Sequence, residues 1–450
     1  MDRFDRIVIG VMGALAAVIL AEALIGDQAG AGVVSLYPAD GASPAVTTSI
    51  QIAFSQPMDQ PTVEQRLKVS PSVDGKFHWN GTTMLFTPNK PLTVGTQYNV
   101  TLAGGAASLL GRPLAHPLAW SFTPRPLSVL YLAPSLADQK GLWSVSASGG
   151  SPHKVYSPSQ GVDSFAVRPD SAQVAVTVNG SGQAADLWLL DPTFGAAQQI
   201  THCAPDFCGR AAWSPDGARL AYERRTSGVA DEGESTHIWL YDSASEASTQ
   251  LFQDRSLPGF APLWSPDGGH LAFYDPQAQS IDVVDLSSGV IAYLPSQMGS
   301  MGSFSPDGAH MVYEDFRTVG ETVFSELWLG NIGGDARITE MDPNAQEDQF
   351  AAWSPDGRWI AFGRRRLDQQ GGFGSQLMLF DTRTSQSRQL TDDPNFNNTA
   401  FAWSPSGDTL LVQRFDLSVP KGGSSVWIYS LADSRLTKVA ADGFGAAWLP

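Results

Sequence analysis

From about residue 33 the chain is written in short apolar runs that alternate with polar positions and break at Gly, Pro or Asn. Examples are "SIQIAFS" from 49, "TMLFTP" from 83, "YNVTLAG" from 98 and "LAWSFTP" from 118. Successive side chains of a strand point to opposite faces, so this alternation predicts half-buried strands, and no amphipathic helix is expected after residue 26. Between 33 and 125 the runs predict a small β-sandwich. From 127 to 450 a single unit repeats: "FAVRPDSAQVAV" at 165, "AAWSPDGARLAY" at 211, "PLWSPDGGHLAF" at 262, "GSFSPDGAHMVY" at 302, "AAWSPDGRWIAF" at 351 and "FAWSPSGDTLLV" at 401. Its aromatic marker (Trp213, Trp264, Phe304, Trp353, Trp403) returns roughly every 40 to 50 residues, with four candidate strands per unit, which is the signature of a propeller blade.

The repeated Asp invites two readings, a catalytic carboxylate or a turn. Pro presets φ, Asp bonds nearby backbone and Gly accepts φ > 0, so S-P-D-G between two strands is turn chemistry. Asp216, Asp267, Asp307 and Asp356 are therefore expected to form turns, and Ser406 replaces the Asp in one copy. The preceding Trp is expected to pack between neighbouring blades. Third strands read "GLWSV" at 141, "DLWLL" at 186, "HIWLY" at 237, "SIDVV" at 280, "ELWLG" at 326, "QLMLF" at 376 and "SVWIY" at 425. There are seven of these, one more than the turn motifs. The missing first strand is "FGAAWLP", 444–450, which joins "VLYLAP", "GLWSVS" and "HKVYS" of 129–157 and closes the ring without exposed edges. The expected fold is all-β: an Ig-like β-sandwich followed by a seven-bladed β-propeller, or a six-bladed one if 127–157 packs elsewhere.

Two resemblances accompany this reading. The runs "YPADGASPAVTTSIQIAFSQPMD", "LFTPNKPLTVGTQYNVTL" and "GRPLAHPLAWSF" resemble the bacterial Ig-like domain of S-layer and other envelope proteins. Phe54, Pro57, Met58 and Asp59 stand at that family's F-x-x-P-M-D run, and Tyr98 and Trp120 fit its core strands. Such domains act as spacers or adhesive modules. The runs "RQLTDDPNFNNTAFAWSPSGDTLLV" and "ARITEMDPNAQEDQFAAWSPDGRWIAF" resemble the TolB-type propeller across 127–450. That family ranges from docking scaffolds to the gating domains of peptidases, so the resemblance implies fold more than activity.

Composition narrows the setting. A hydrophobic content of 42% allows real cores, while a net charge of -17 argues against a nucleic-acid or anionic-membrane surface as the main partner. Ile7 to Ala21 carries no charge, follows Arg3 and Arg6, and has no Lys or Arg after it until Arg66. Residues 1–26 therefore read as one N-terminal transmembrane anchor, or alternatively a cleaved signal. The N-terminus is then cytoplasmic, 27–32 a linker, and the bulk of the chain extracytoplasmic on a bacterial cell membrane. In that compartment Cys203 and Cys208 are expected to form a disulfide; a zinc site is the weaker reading of C-x4-C beside His202.

No G-x-S-x-G, P-loop or H-E-x-x-H spacing occurs, and no cofactor or metal is expected. Loops between second and third strands are long and charged, so Arg224, Arg225, Arg364, Arg365, Arg366 and Arg414 are candidates for a docking ring, with solvated strand ends as the bland alternative. The expected function is a non-catalytic, membrane-anchored scaffold or binding subunit whose propeller docks a protein partner or envelope polymer, such as a member of a membrane or surface-layer complex. The alternative is a glycan- or peptide-processing enzyme, or a small-ligand sensor, using the central pocket. A pocket lined by convergent carboxylates or His would favour the enzyme; an apolar or Arg-rich rim would favour docking.

Overall fold

The structure, a computed structural model, describes residues 30–191, 194–226, 235–252, 257–332, 338–340, 346–367 and 374–450. The chain divides into two compact units, 1–126 and 127–450. The expected transmembrane helix lies outside the described residues, among which no helix is long and apolar enough to cross a membrane.

The first unit packs a four-stranded sheet (Val33–Tyr37, Ile50–Phe54, Thr83–Pro88, Gly75–Asn80, in spatial order) on a three-stranded one (Leu67–Ser70, Tyr98–Leu102, Leu118–Phe122). Alternation does this directly. Ile50, Ile52 and Phe54 are buried on one face, Tyr98, Val100 and Leu102 on the facing sheet, and Trp120 and Phe122 complete the core. Within the F-x-x-P-M-D run, Phe54 and Met58 enter this core while Pro57 stays exposed. A short helix, Gln60–Glu64, comes next, too brief to show as a periodic pattern. Ala31 already bridges to Leu114, so the last residues of the expected linker belong to the sandwich. Gly30 reads as flexible in sequence, yet it allows close backbone approach: a Cβ there would lie 2.9 Å from the Pro113 carbonyl oxygen.

In the second unit the strands group in antiparallel fours. Along the chain the groups span 162–199, 207–250, 260–295, 303–340, 347–389 and 396–440. A further four-stranded sheet takes Ser128–Ala133, Gly141–Ser146 and His153–Tyr156 from one end of the unit and Phe444–Leu449 from the other. One parallel bridge, Ala185 to Phe207, links the first two groups into an eight-stranded sheet beside the disulfide Cys203–Cys208. Apolar clusters join each group to the next, and the sheet shared by the two ends packs against both 396–440 and the 162–190 strands. The result is a β-propeller.

Recurrent motifs have recurrent jobs. In each S-P-D-G copy the Ser hydroxyl donates to the Asp carboxylate, at 2.6 Å for Ser214–Asp216 and for Ser354–Asp356, and accepts the N–H of the residue that starts the next strand. The Asp also accepts an N–H two residues on, as from Arg358 at 3.1 Å. Where Ser406 replaces Asp, Asp408 takes the Ser404 hydroxyl at 2.9 Å. These carboxylates are turn locks. The indole N–H of Trp264, Trp403 and Trp448 donates to the carbonyl of Ala212, Ala352 and Ala402 in the preceding group, tying first strand to first strand. "Q-x-T" runs close two of the groups: Thr201 and Thr391 accept the N–H of Leu187 and Leu377 on the third strand, at 2.8 and 2.9 Å.

Candidate functional site

Antiparallel register gives the propeller two chemically different ends. First strands run toward the S-P-D-G turns, as in Trp353 opposite Ile360, while their beginnings face the ends of second strands, as in Glu347 opposite Arg365. The hairpins between second and third strands therefore share the end where first strands begin.

That end holds the candidate arginines, and their partners are local. Arg364 makes a two-pronged bond to buried Asp348 at 2.8 and 2.7 Å. Its neighbour Arg365 pairs with Glu347. Arg414, buried, stacks on Phe396 at 3.9 Å and Trp427 at 4.8 Å and bonds Asp393 at 3.3 Å. Arg224 lies over Trp239 with Asp206 3.6 Å away, and Arg225 lies over Phe207. Arg366 also has a partner. Arg224, Arg225, Arg364, Arg365 and Arg414 each meet a carboxylate or an aromatic ring close by, so these arginines brace strand ends rather than forming a bare ring. Charged pairs held this way are structural unless something displaces the carboxylate.

Two buried carboxylates at this end escaped the sequence reading. First strands carry a bulge residue at positive φ, as at Arg210, Ala261, Phe350 and Gly445. A bulge takes one N–H off the ladder, and that N–H needs another acceptor. The preceding group's second strand supplies it. Thr177 accepts from Arg210, Glu223 from Ala261 at 2.7 Å, Glu314 from Phe350, and Gln413 from Gly445 at 3.0 Å. Desolvation raises the pKa of Glu223 and Glu314, opposed by those same N–H donors and, for Glu223, by Arg210 and Arg225. A raised carboxyl in a cleft resembles a general acid, but Gln413 performs the same task without a proton. We expect Glu314→Gln to keep fold and partner binding, while Glu314→Ala, which strands the Phe350 N–H, costs about 1–3 kcal/mol in a denaturant melt. Loss of function in the Gln variant with unchanged stability would instead make Glu314 a chemical group.

The same end carries an unexpected apolar pattern. Leu136, Phe316, Val323, Leu367, Leu417 and Val419 are exposed, at 43% to 69%. They lie on or beside the hairpins of the sheet shared by the chain ends and of the 303–340, 347–389 and 396–440 groups, which succeed one another around the ring. The hairpin of His310–Val319 and Thr322–Asn331 is the longest, and Arg317 bonds Glu326 at 3.0 Å beneath its exposed Phe316 and Val323. In sequence the charges of these loops obscured the apolar tips, because the charges pair at the hairpin bases.

At the turn end a cavity of about 600 Å³ opens among Trp264, Phe304, Trp353 and Trp403, with Pro266, Pro306 and Pro355 also in its lining. Ser303 lines it and accepts the Trp353 N–H at 3.0 Å. Among the described residues, no three His, Cys, Asp or Glu side chains converge as metal ligands. His237 is buried with its Nδ1 on the Leu257 carbonyl at 3.0 Å. The "TDDPNFNN" loop spends its groups locally, Asn397 accepting the Ser375 N–H and Asp393 holding Arg414.

The fold and this geometry define a two-part chain, an Ig-like sandwich followed by a propeller with an apolar-tipped end and an aromatic-lined end. Comparison with known proteins agrees. Residues 27–124 match the model of the bacterial Ig-like domain. The propeller domain of the Trilobed protease from Pyrococcus furiosus, described as having an open velcro topology, is similar with TM-score 0.50 and 10% identity, covering 78% of this chain and 96% of that one. TolB from Acinetobacter baumannii is similar with TM-score 0.44 and 14% identity, covering 86% and 83%. An uncharacterized protein of Agrobacterium fabrum is 26% identical over 211 residues, 45% of this chain and 68% of its own. The first unit thus matches the bacterial Ig-like domain, and the second has the β-propeller fold.

Proposed function

We propose that this chain is a non-catalytic binding subunit, anchored in a bacterial cell membrane by its N-terminal segment and holding a seven-bladed propeller outside it to dock a protein partner. The observation that carries the reading is the run of exposed apolar tips, Phe316, Val323, Leu367, Leu417, Val419 and Leu136, along one end of consecutive groups. Exposed apolar side chains on successive hairpins, beside charges already paired, fit a protein–protein interface. A carboxylated polymer fits less well, since it needs cations that Asp348, Asp393 and Glu347 already occupy.

The test is a mild-detergent pull-down of the full-length chain from its native membranes with quantitative mass spectrometry. We expect a stoichiometric partner that the double variant Phe316→Asp, Leu417→Asp loses by at least about tenfold, a change of roughly 1.4 kcal/mol. The double variant Arg365→Glu, Arg366→Glu should retain it. The opposite pattern would replace the apolar rim by an electrostatic face. A chain recovered alone would favour the second reading, a small-ligand site in the cavity of about 600 Å³ lined by Trp264, Trp353 and Trp403.

A further inference from the structure

The Ig-like unit carries a second exposed apolar feature, and the chain's own path indicates what covers it. Leu109 and Leu110 are 71% and 73% exposed. They are adjacent, and their turn is rigidly held: Leu109 N–H donates to the Pro57 carbonyl at 3.0 Å, Gly111 N–H to Ser108 at 2.8 Å, and Ser108 N–H to Arg112 at 2.8 Å. Ala106 and Ser108 beside them are buried, so the pair cannot fold inward without undoing the loop. A fixed turn that presents two adjacent leucines to solvent is a candidate contact surface.

The chain comes into the sandwich on this same loop. Ala31 donates to the Pro113 carbonyl at 3.1 Å and accepts from Ala115 at 3.0 Å. It leaves at the other end of Leu118–Phe122, since Leu118 pairs with Leu102 next to the loop and Phe122 pairs with Tyr98 away from it. Upstream of Gly30 the sequence holds the uncharged run Ile7 to Ala21, and Ile25 ends its apolar extension. From Ile25 or Ala21 to Gly30 a fully extended chain reaches only about 17–32 Å, at roughly 3.3–3.6 Å per residue. The loop is thus tethered close to whatever holds that run.

Its chemistry suits an anionic bilayer. Residues 103–117, "AGGAASLLGRPLAHP", contain no Asp or Glu in a chain of net charge -17, and include Arg112 and His116. On the neighbouring segment Asp59 touches the loop through its backbone N–H to Ala107, and Glu64 accepts the Trp79 indole N–H at 2.8 Å. We infer that the Ig-like unit sits on the lipid surface through this loop, with Leu109 and Leu110 entering the headgroup–acyl boundary. The inference rests on the membrane-anchor reading and adds to it that the sandwich is a docked foot with a fixed end toward the bilayer, instead of a free spacer.

The experiment uses full-length protein reconstituted into phosphatidylethanolamine–phosphatidylglycerol vesicles. A single environment-sensitive fluorophore is placed at Leu110→Cys, at Leu109→Cys as a second position, or at Gln97→Cys near the opposite end, with Cys203 and Cys208 left in their disulfide. We expect probes at 110 and 109 to be quenched by lipid-borne nitroxide and shielded from aqueous iodide, and the probe at 97 to show the reverse. If the chain resists carbonate extraction but the probes at 110 and 109 meet iodide as freely as that at 97, the docked foot is wrong and the anchor stands. If carbonate releases the chain, both readings fall.

Discussion

A chain truncated before Phe444 should lose its cooperative thermal transition and self-associate on gel filtration. The last strand, Phe444–Leu449, pairs with Ser128–Ala133, so removing it bares a full sheet edge whose N–H and C=O groups template pairing with a second molecule. It also seals two different interfaces. Trp448 packs with Val129, Leu411 and Val426, whereas Leu449 packs with Leu132, Val162 and Val174. Burial of each such side chain contributes about 1.5–3 kcal/mol, comparable with a substantial part of the stability of an ordinary domain. Further ties go with the strand: the Trp448 indole to Ala402, Gly445 N–H to Gln413, and the Ser171 hydroxyl to the Pro450 carbonyl. Trp448→Ala, which keeps the strand, should cost about 3–5 kcal/mol, and the cost should appear as an earlier melt without self-association. A truncated chain that melts as the intact one does would mean that the ring does not depend on closure by its C-terminus.

That closure was legible in sequence because "FGAAWLP" repeats the first-strand run "FAAWSP". The turn role of Asp216, Asp267, Asp307 and Asp356 was equally legible, since Pro, Asp and Gly each carry a local backbone preference that needs no tertiary partner. The arginines stand at strand ends beside carboxylates and rings that are not their neighbours in sequence. Asp348 and Arg364 are far apart along the chain and adjacent only once the first strand is laid against the second. Glu223, Glu314 and Gln413 were missed for a related reason. Their partners are bulge N–H groups in the next group along, and no side-chain pattern announces a bulge. A signal was available, because these residues and Thr177 all stand on second strands shortly after the turn motif. For the leucines at 109 and 110, only burial distinguishes an apolar pair turned outward from one turned in.

Replacing Asp282 by Asn should remove a pH dependence of stability worth up to about 3 kcal/mol between pH 4 and pH 7. Asp282 occupies the third-strand position held in other groups by Trp143, Trp188, Trp239, Trp328, Met378 and Trp427, so a carboxyl stands where the repeat otherwise places a large apolar side chain. It is fully buried and lies across the ladder from Phe273. The Ser280 hydroxyl donates to its Oδ1 at 2.6 Å, and its Oδ2 has no hydrogen-bond partner. Desolvation is the main cause that pushes its pKa up to about 6 from 3.8; Ser280 opposes the shift and the nearby Asp275 charge adds to it. Between those two values the folded chain keeps a proton that the unfolded chain has released. Stability from this group is therefore complete below about pH 4 and is lost as pH rises through 6. Asn carries no charge to desolvate, so the stability difference between the variant and the parent should grow in the variant's favour across that range. The amide's own unpartnered N–H shifts both ends of the comparison alike and leaves the slope intact. Denaturant melts of both proteins at pH 4, 5, 6 and 7 measure it directly, and parallel curves would show that the Asp282 carboxyl ionises in the fold as easily as it does in water.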